Sequence, residues 1–232
     1  MPRYDIVLFD ADDTLFDFPK AEEQALRLCL ESSGYPYSGD VYNTYHNMNH
    51  NFWEMLERKE VTLKEIQDTR FQKLFSLLGY KGSANGINSV FIEMLGKGNF
   101  LLDGAEELCR TLSDQYSIYI VTNGIGPAQY GRIRSSALAP YISGIFVSDE
   151  IGAQKPYPEY FESVFRTIKV TDTNRVIMVG DRLTADISGA NAVGIDSIWC
   201  NFRGEANVTG ILPTYEVKSL CEISEILLPR RV

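Results

Sequence analysis

The sequence predicts an α/β fold: a Rossmann-like, doubly wound parallel sheet with an all-helical subdomain inserted after the first strand. Short apolar runs at 6–9, 118–121, 145–147, 175–179 and 196–199 are bounded by polar or turn residues and read as buried strands. From residue 103 onward these runs alternate with segments of helical spacing, the order of a parallel sheet with right-handed crossovers. Between about 16 and 98, by contrast, helical spacing recurs with no convincing strand. The expected division is a core of 1–15 and 99–232 and a helical cap of 16–98.

Taken in order, Ile6, Val7, Leu8 and Phe9 form the first strand, closed by Asp10, Ala11, Asp12 and Asp13. After an irregular link from Leu15 to Pro19, the residues Ala21, Ala25, Leu26, Leu28 and Leu30 are spaced for a helix that Gly34 stops. A second helix, from Val41 to Lys59, is rich in aromatics and amides. Thr62 and Glu65 form a capping-box pair that opens a third, with Ile66, Phe71, Leu74, Phe75 and Leu78 on its apolar side. A fourth spans about 86–97. In the core, Asp103 is placed to cap a helix ending near Ser113, and further helices are expected at 127–138, 157–168, 183–193 and 219–227.

With 44% hydrophobic and 23% charged residues, the 232-residue chain has the balance of a soluble globular protein. No apolar stretch reaches the length of a membrane span, and Met1, Pro2 and Arg3 lead almost directly into the first strand, which suggests a cytoplasmic protein. The cysteines Cys29, Cys109, Cys200 and Cys221 lack CxxC spacing, so reduced and mostly buried thiols are expected. A net charge of −9 argues against a nucleic-acid polymer as partner. A small phosphorylated ligand remains compatible, because a metal and one local Lys reverse the charge of a single pocket.

The strands end in polar signatures. The first ends in Asp10 and Asp12, the second in Thr122, Asn123 and Gly124. The third is followed by Ser148, Asp149 and Glu150, then Lys155 and Pro156; the fourth ends in Gly180 and Asp181, with Asp186 beyond. The carboxyl ends of parallel strands share one edge, so these residues converge on one crevice. Asp10, Asp12 and Asp13 would repel one another there unless a cation compensates, and Mg²⁺, a hard ion with oxygen ligands, is the expected one.

These four signatures, in this order and with a helical insertion between the first and second, resemble the haloacid dehalogenase-like (HAD) phosphohydrolases over the whole chain. The resemblance implies that Asp10 is the nucleophile that forms an aspartyl-phosphate, and that Asp12 is the general acid and then the base. It gives phosphate contacts to the Thr122 hydroxyl and the Asn123 backbone N–H, and to Lys155 the charge that neutralises phosphate and keeps Asp10 anionic. Asp181 would bind Mg²⁺ with Asp10 and the backbone carbonyl of Asp12. Asp186 either orients these ligands or complements a helix dipole.

Asp13 stands where the usual motif has Gly, and an acidic or amide residue there resembles the pyrimidine-leaning nucleoside 5′-monophosphatase branch. Asn49, Phe52, Trp53, Glu54, Arg70, Phe71, Gln129, Arg132, Trp199 and Asn201 share that resemblance. Asn49 and Trp53 are therefore candidate substrate contacts in the cap, although aromatics such as Phe52 and Trp53 equally suit its interior. His46 and His50 share a helix face but lack a third metal ligand nearby. The implied activity is a Mg²⁺-dependent hydrolase of small phosphomonoesters, foremost nucleoside monophosphates, in a monomer or homodimer. Alternatives are a phosphoglycolate or sugar-phosphate phosphatase or mutase. A haloacid dehalogenase is disfavoured by Asp12, and a receiver-like signalling module by the order of its motifs.

Overall fold

The structure, a computed structural model, describes residues 3–228; Met1 and Pro2 lie outside them. Six strands form one sheet: β1 (Ile6–Phe9), β2 (Ser117–Thr122), β3 (Gly144–Val147), β4 (Val176–Gly180), β5 (Asp196–Cys200) and β6 (Tyr215–Val217). Their order is β3-β2-β1-β4-β5-β6, and every pairing is parallel. Phe9 lies opposite Ile120 on one side and Val179 on the other. The chain winds outward from β1 in both directions, so the crevice opens at the carboxyl end of β1, between β2 and β4.

Period-2 alternation divides the strand side chains between two apolar layers. Val7, Phe9, Ile177 and Val179 pack with helices α5 (Ala105–Ser113) and α10 (Leu220–Leu227). Leu8, Val176 and Met178 face α8 (Pro158–Ile168). The remaining core helices are α6 (Gly126–Ser135), the short α7 (Ser148–Ile151) and α9 (Ser188–Ala192). Cys29, Cys109 and Cys200 are buried, Cys221 is exposed, and all are free thiols.

Between β1 and β2 run α1 (Phe18–Ser32), α2 (Gly39–Glu57), α3 (Leu63–Leu78) and α4 (Ile87–Leu95). Asp17 accepts from the backbone N–H of Lys20 to open α1, Ser38 caps α2, and Thr62 with Glu65 completes the capping box of α3. These helices share a separate apolar cluster in which the rings of Tyr45, Phe71 and Phe91 meet with centroids 5.3–5.5 Å apart. No helix among the described residues is long and apolar enough to cross a membrane.

The structure departs from the sequence reading in three places, two of them corrected expectations and one an element that was not expected. Asp103 does not cap α5: Gly104, at φ 87°, takes the cap position, and the turn is closed by the backbone of Ala105 donating to Leu102. The segment 183–193 is not one regular helix but a π turn, Leu183–Ile187, followed by α9. The third is β6, a three-residue edge strand that periodicity does not reveal.

Candidate active site

Asp10 leaves β1 with its backbone N–H donated to Val179, which fixes it at the mouth of the crevice. Lys155 reaches it from the loop after α7, and its ammonium donates to Asp10 Oδ1 (2.5 Å), Asp186 Oδ1 (2.7 Å) and the carbonyl of Val121 (2.8 Å). The Asn123 side chain holds this loop: its Oδ1 accepts from Lys155 N and its Nδ2 donates to Lys155 O, both at 2.9 Å. Asn123 thus contributes a positioning side chain that the sequence argument, concerned with its backbone N–H, did not include.

Asp186 is fully enclosed and also accepts from the backbone N–H of Arg182 at 3.0 Å. It gets there because the π turn carries it back under the end of β4. A Cβ at Gly180 would sit 2.3 Å from its Cγ, so the glycine is a steric requirement. Asp181 is held from behind by Trp199 Nε1, which donates to its carbonyl at 2.8 Å.

One carboxylate oxygen each from Asp10, Asp181 and Asp186 lies within 4.8 Å of the others. Burial raises the pKa of Asp10, with the Lys155 charge opposing and the Asp186 and Asp12 charges reinforcing. Burial, with Asp10 and Asp186 adding to it, likewise holds Asp181 well above the ordinary carboxylate range. Asp10 and Asp186, buried and paired with one ammonium, and the half-buried Asp181 beside them form a hard-oxygen donor set of the kind that suits Mg²⁺. Since both Asp186 oxygens already accept hydrogen bonds, Asp10 and Asp181 are the freer ligands. Burial pushes the neighbouring Asp13 up to about 6 against the opposing charge of Arg203. Its φ of 59° is left-handed, the conformation in which the usual Gly would be at ease.

Asp12 is gripped by two residues of α6. Gln129 Nε2 donates to Asp12 Oδ2 at 2.9 Å and to Thr122 Oγ1 at 2.8 Å, while Arg132 Nη2 donates to Asp12 Oδ1 and to Gln129 Oε1. The Arg132 guanidinium lies over the rings of Phe16 and Phe18. Gln129 and Arg132 entered the sequence argument through resemblance alone and received no role. Their signal was there: two polar residues three apart, hence on one helix face, directly after the Thr122 signature.

A cavity of about 630 Å³ extends from these residues to helices α1–α4. Among its lining residues, Glu22 accepts from Asn49 Nδ2 (2.8 Å) and pairs with His46 Nδ1 (2.6 Å). The hydrogen bond to Glu22 is the main cause of a raised His46 pKa. His50 instead pairs with Glu54, so the two histidines do not converge. Asn49 and the half-buried Trp53 line the cavity, whereas Phe52 is buried in the helical cluster. Glu22, with no sequence signal beyond an ordinary helical position, was missed. At the carboxyl end of α2, Leu56 O accepts from Gln154 and Glu57 O from Tyr157, while the Glu57 carboxylate engages Arg182 and Thr184.

A family model described as haloacid dehalogenase-like hydrolase matches residues 4–194. The chain is 40% identical over 227 residues to YfnB of Bacillus subtilis (strain 168), which is named as a HAD-hydrolase, covering 98% of this chain and 97% of YfnB. The magnesium-bound crystal structure of YfnB matches with a TM-score of 0.91 over 98% of this chain and 100% of that one. The pyrimidine 5′-nucleotidase PynA of Streptococcus pneumoniae (strain ATCC BAA-255 / R6) is 36% identical over 97% of this chain and 95% of its own. Pyrimidine 5′-nucleotidase YjjG of Escherichia coli (strain K12) is 28% identical over 97% and 98%. With its four strand-end signatures inside the matched segment, the chain belongs to the haloacid dehalogenase-like hydrolases.

Proposed function

We propose that the protein is a Mg²⁺-dependent phosphatase of nucleoside 5′-monophosphates, pyrimidine-leaning, that works through an aspartyl-phosphate on Asp10. The observation that carries this is Lys155, buried between Asp10 and Asp186 at the foot of a cavity that also contains Asp12, Thr122 and Asp181. A haloacid dehalogenase needs no acid at Asp12, let alone one held by two dedicated side chains. PynA and YjjG, similar along almost their whole length, favour the nucleotide substrate.

Asp10, Asp181 and the Asp12 carbonyl would hold the ion, whose charge would offset that of the phosphoryl oxygens. Lys155 favours the anionic form of Asp10 against the burial that raises its pKa, and adds a fixed positive charge beside the phosphoryl group. The Thr122 hydroxyl and Asn123 N–H orient that group for in-line attack. The Asp10 oxygen bonds to phosphorus as the ester oxygen leaves, and the leaving alkoxide takes its proton from Asp12. Asp12 then accepts a proton from water, which attacks phosphorus and frees Asp10 and inorganic phosphate. Gln129 and Arg132 hold Asp12 in position for both transfers. Residues 16–98 act as a cap domain that excludes water and selects the leaving group, over a core of 1–15 and 99–232.

The test is phosphate release from nucleoside monophosphates, sugar phosphates and phosphoglycolate, with Mg²⁺ and with EDTA, and with Asp10→Asn as blank. Metal-dependent release greatest for pyrimidine nucleotides is the expected result. Release confined to sugar phosphates refutes the substrate, and EDTA-resistant release refutes the metal.

A further inference from the structure

Two polar side chains that α2 and α3 contribute to the lining of the cavity, Asn49 and Arg70, are buried without complete hydrogen bonding. Asn49 is 2% exposed, and its Nδ2 donates to Glu22 Oε1 at 2.8 Å. A carboxylate that also pairs with His46 can only accept here, which settles the orientation of the amide: Oδ1 is the free atom, and it has no partner. Arg70 is 1% exposed; its Nε donates to Asn88 Oδ1 at 2.6 Å and its guanidinium lies 4.7 Å from the ring centre of Phe91. Arg70 Nη2 is buried with no partner, and no described carboxylate pairs with this charge. Both residues line the same cavity as Asp10 and Asp12.

A buried acceptor and a buried cationic donor left unsatisfied are costly, and a site of this kind is completed by its ligand. The complement is a group that presents an N–H beside a carbonyl. A second phosphate would satisfy Arg70 but confront Asn49 Oδ1 with another acceptor. Phe91, Leu95 and Trp53, which line the same cavity, supply apolar surface for a flat ring.

We infer that Asn49 and Arg70 read the imide edge of a pyrimidine, Asn49 Oδ1 accepting the ring N3–H and Arg70 donating to an adjacent ring carbonyl. This rests on the nucleotidase function proposed above and specifies its base preference: uracil and thymine are selected and cytosine is rejected, because cytosine presents an acceptor at N3. Sites built to hydrogen-bond one substrate group discriminate strongly against analogues that lack it.

The experiment compares kcat/KM for UMP, N3-methyl-UMP and CMP with the wild-type protein and Mg²⁺, alongside p-nitrophenyl phosphate, which has no base. Calorimetric binding of the same nucleotides to Asp10→Asn gives a readout independent of turnover. N3-methyl-UMP and CMP should each be at least tenfold poorer than UMP, chiefly through KM. In Asn49→Ala and Arg70→Lys the ratio of UMP to N3-methyl-UMP should fall toward one. Equal use of UMP and N3-methyl-UMP by the wild type overturns the inference and leaves the nucleotidase function standing. Turnover of p-nitrophenyl phosphate with none of any nucleotide overturns both. The wild-type ligand series requires no variant to fold.

Discussion

Lys155→Met keeps an unbranched side chain of similar length and removes one ammonium. That ammonium belongs to a residue 1% exposed and makes three hydrogen bonds, two of them to the carboxylates of Asp10 and Asp186. The substitution strands two acids in the interior with no cation between them. Breaking a buried ion pair costs about 3–5 kcal/mol. In a chain of this size each kcal/mol moves the melting temperature by about 2–4 °C, so a fall of about 6–20 °C is expected. The assay is urea unfolding in EDTA of the wild type, Lys155→Met, Asp186→Asn and the double variant. If the loss arises from a stranded charge, Asp186→Asn costs less in the Lys155→Met background than in the wild type, with a coupling of at least about 1 kcal/mol. A loss below about 1 kcal/mol for Lys155→Met, or additivity within about 0.5 kcal/mol, refutes the reasoning.

Asp12→Asn should lose about 10²–10⁴-fold in kcat, the usual worth of a positioned acid–base group, and should also lower the melting temperature, because it leaves the buried Arg132 guanidinium without its carboxylate partner. Mg²⁺ at about 100 times its Kd should stabilise the wild type by about 2.7 kcal/mol in a thermal melt, and Asp181→Asn should abolish that gain. Because Asp13 is left-handed at φ 59°, Asp13→Val should cost about 1–2 kcal/mol in urea unfolding and Asp13→Gly less. The hydrogen bond to Glu22 raises the folded His46 pKa, helped by the Glu22 and Asp13 charges and opposed by burial and Arg203. The stability difference between wild type and His46→Gln should therefore be fully present below about pH 6.5 and vanish as pH rises through the folded pKa. A difference that grows with pH would contradict it.

The sheet was legible because β1 and β4 are buried on both faces and must be written almost wholly in apolar residues. The four strand-end signatures were legible because parallel topology gathers them whatever their spacing in sequence. The edge strand β6 was not, since three residues of which one is fully buried carry no period. Nor was the π turn, which brings Asp186 close against Gly180, a contact between elements. Glu22, Arg70 and Arg132 look in sequence like members of solvated helix faces. Their burial is a property of how the helices meet, and a single helix cannot display it. Asp13 shows the opposite case: it stands where the usual motif has Gly, and its φ is in the left-handed region that Gly enters freely.

The attachment of α2 to the segments that follow α7 and β4 bears on how such a protein diversifies. Two of its bonds end on main-chain carbonyls, Leu56 O and Glu57 O, which persist whatever side chains occupy those positions. Trp53 and Asn49 lie on the same helix, one and two turns away respectively, and take no part in that attachment. On the function proposed above, mutation can therefore rewrite what the helix offers a leaving group while its anchorage, and the proposed phosphoryl chemistry below it, pass unchanged to the descendant. Drift in substrate choice and inheritance of the reaction are assigned to different atoms of one helix.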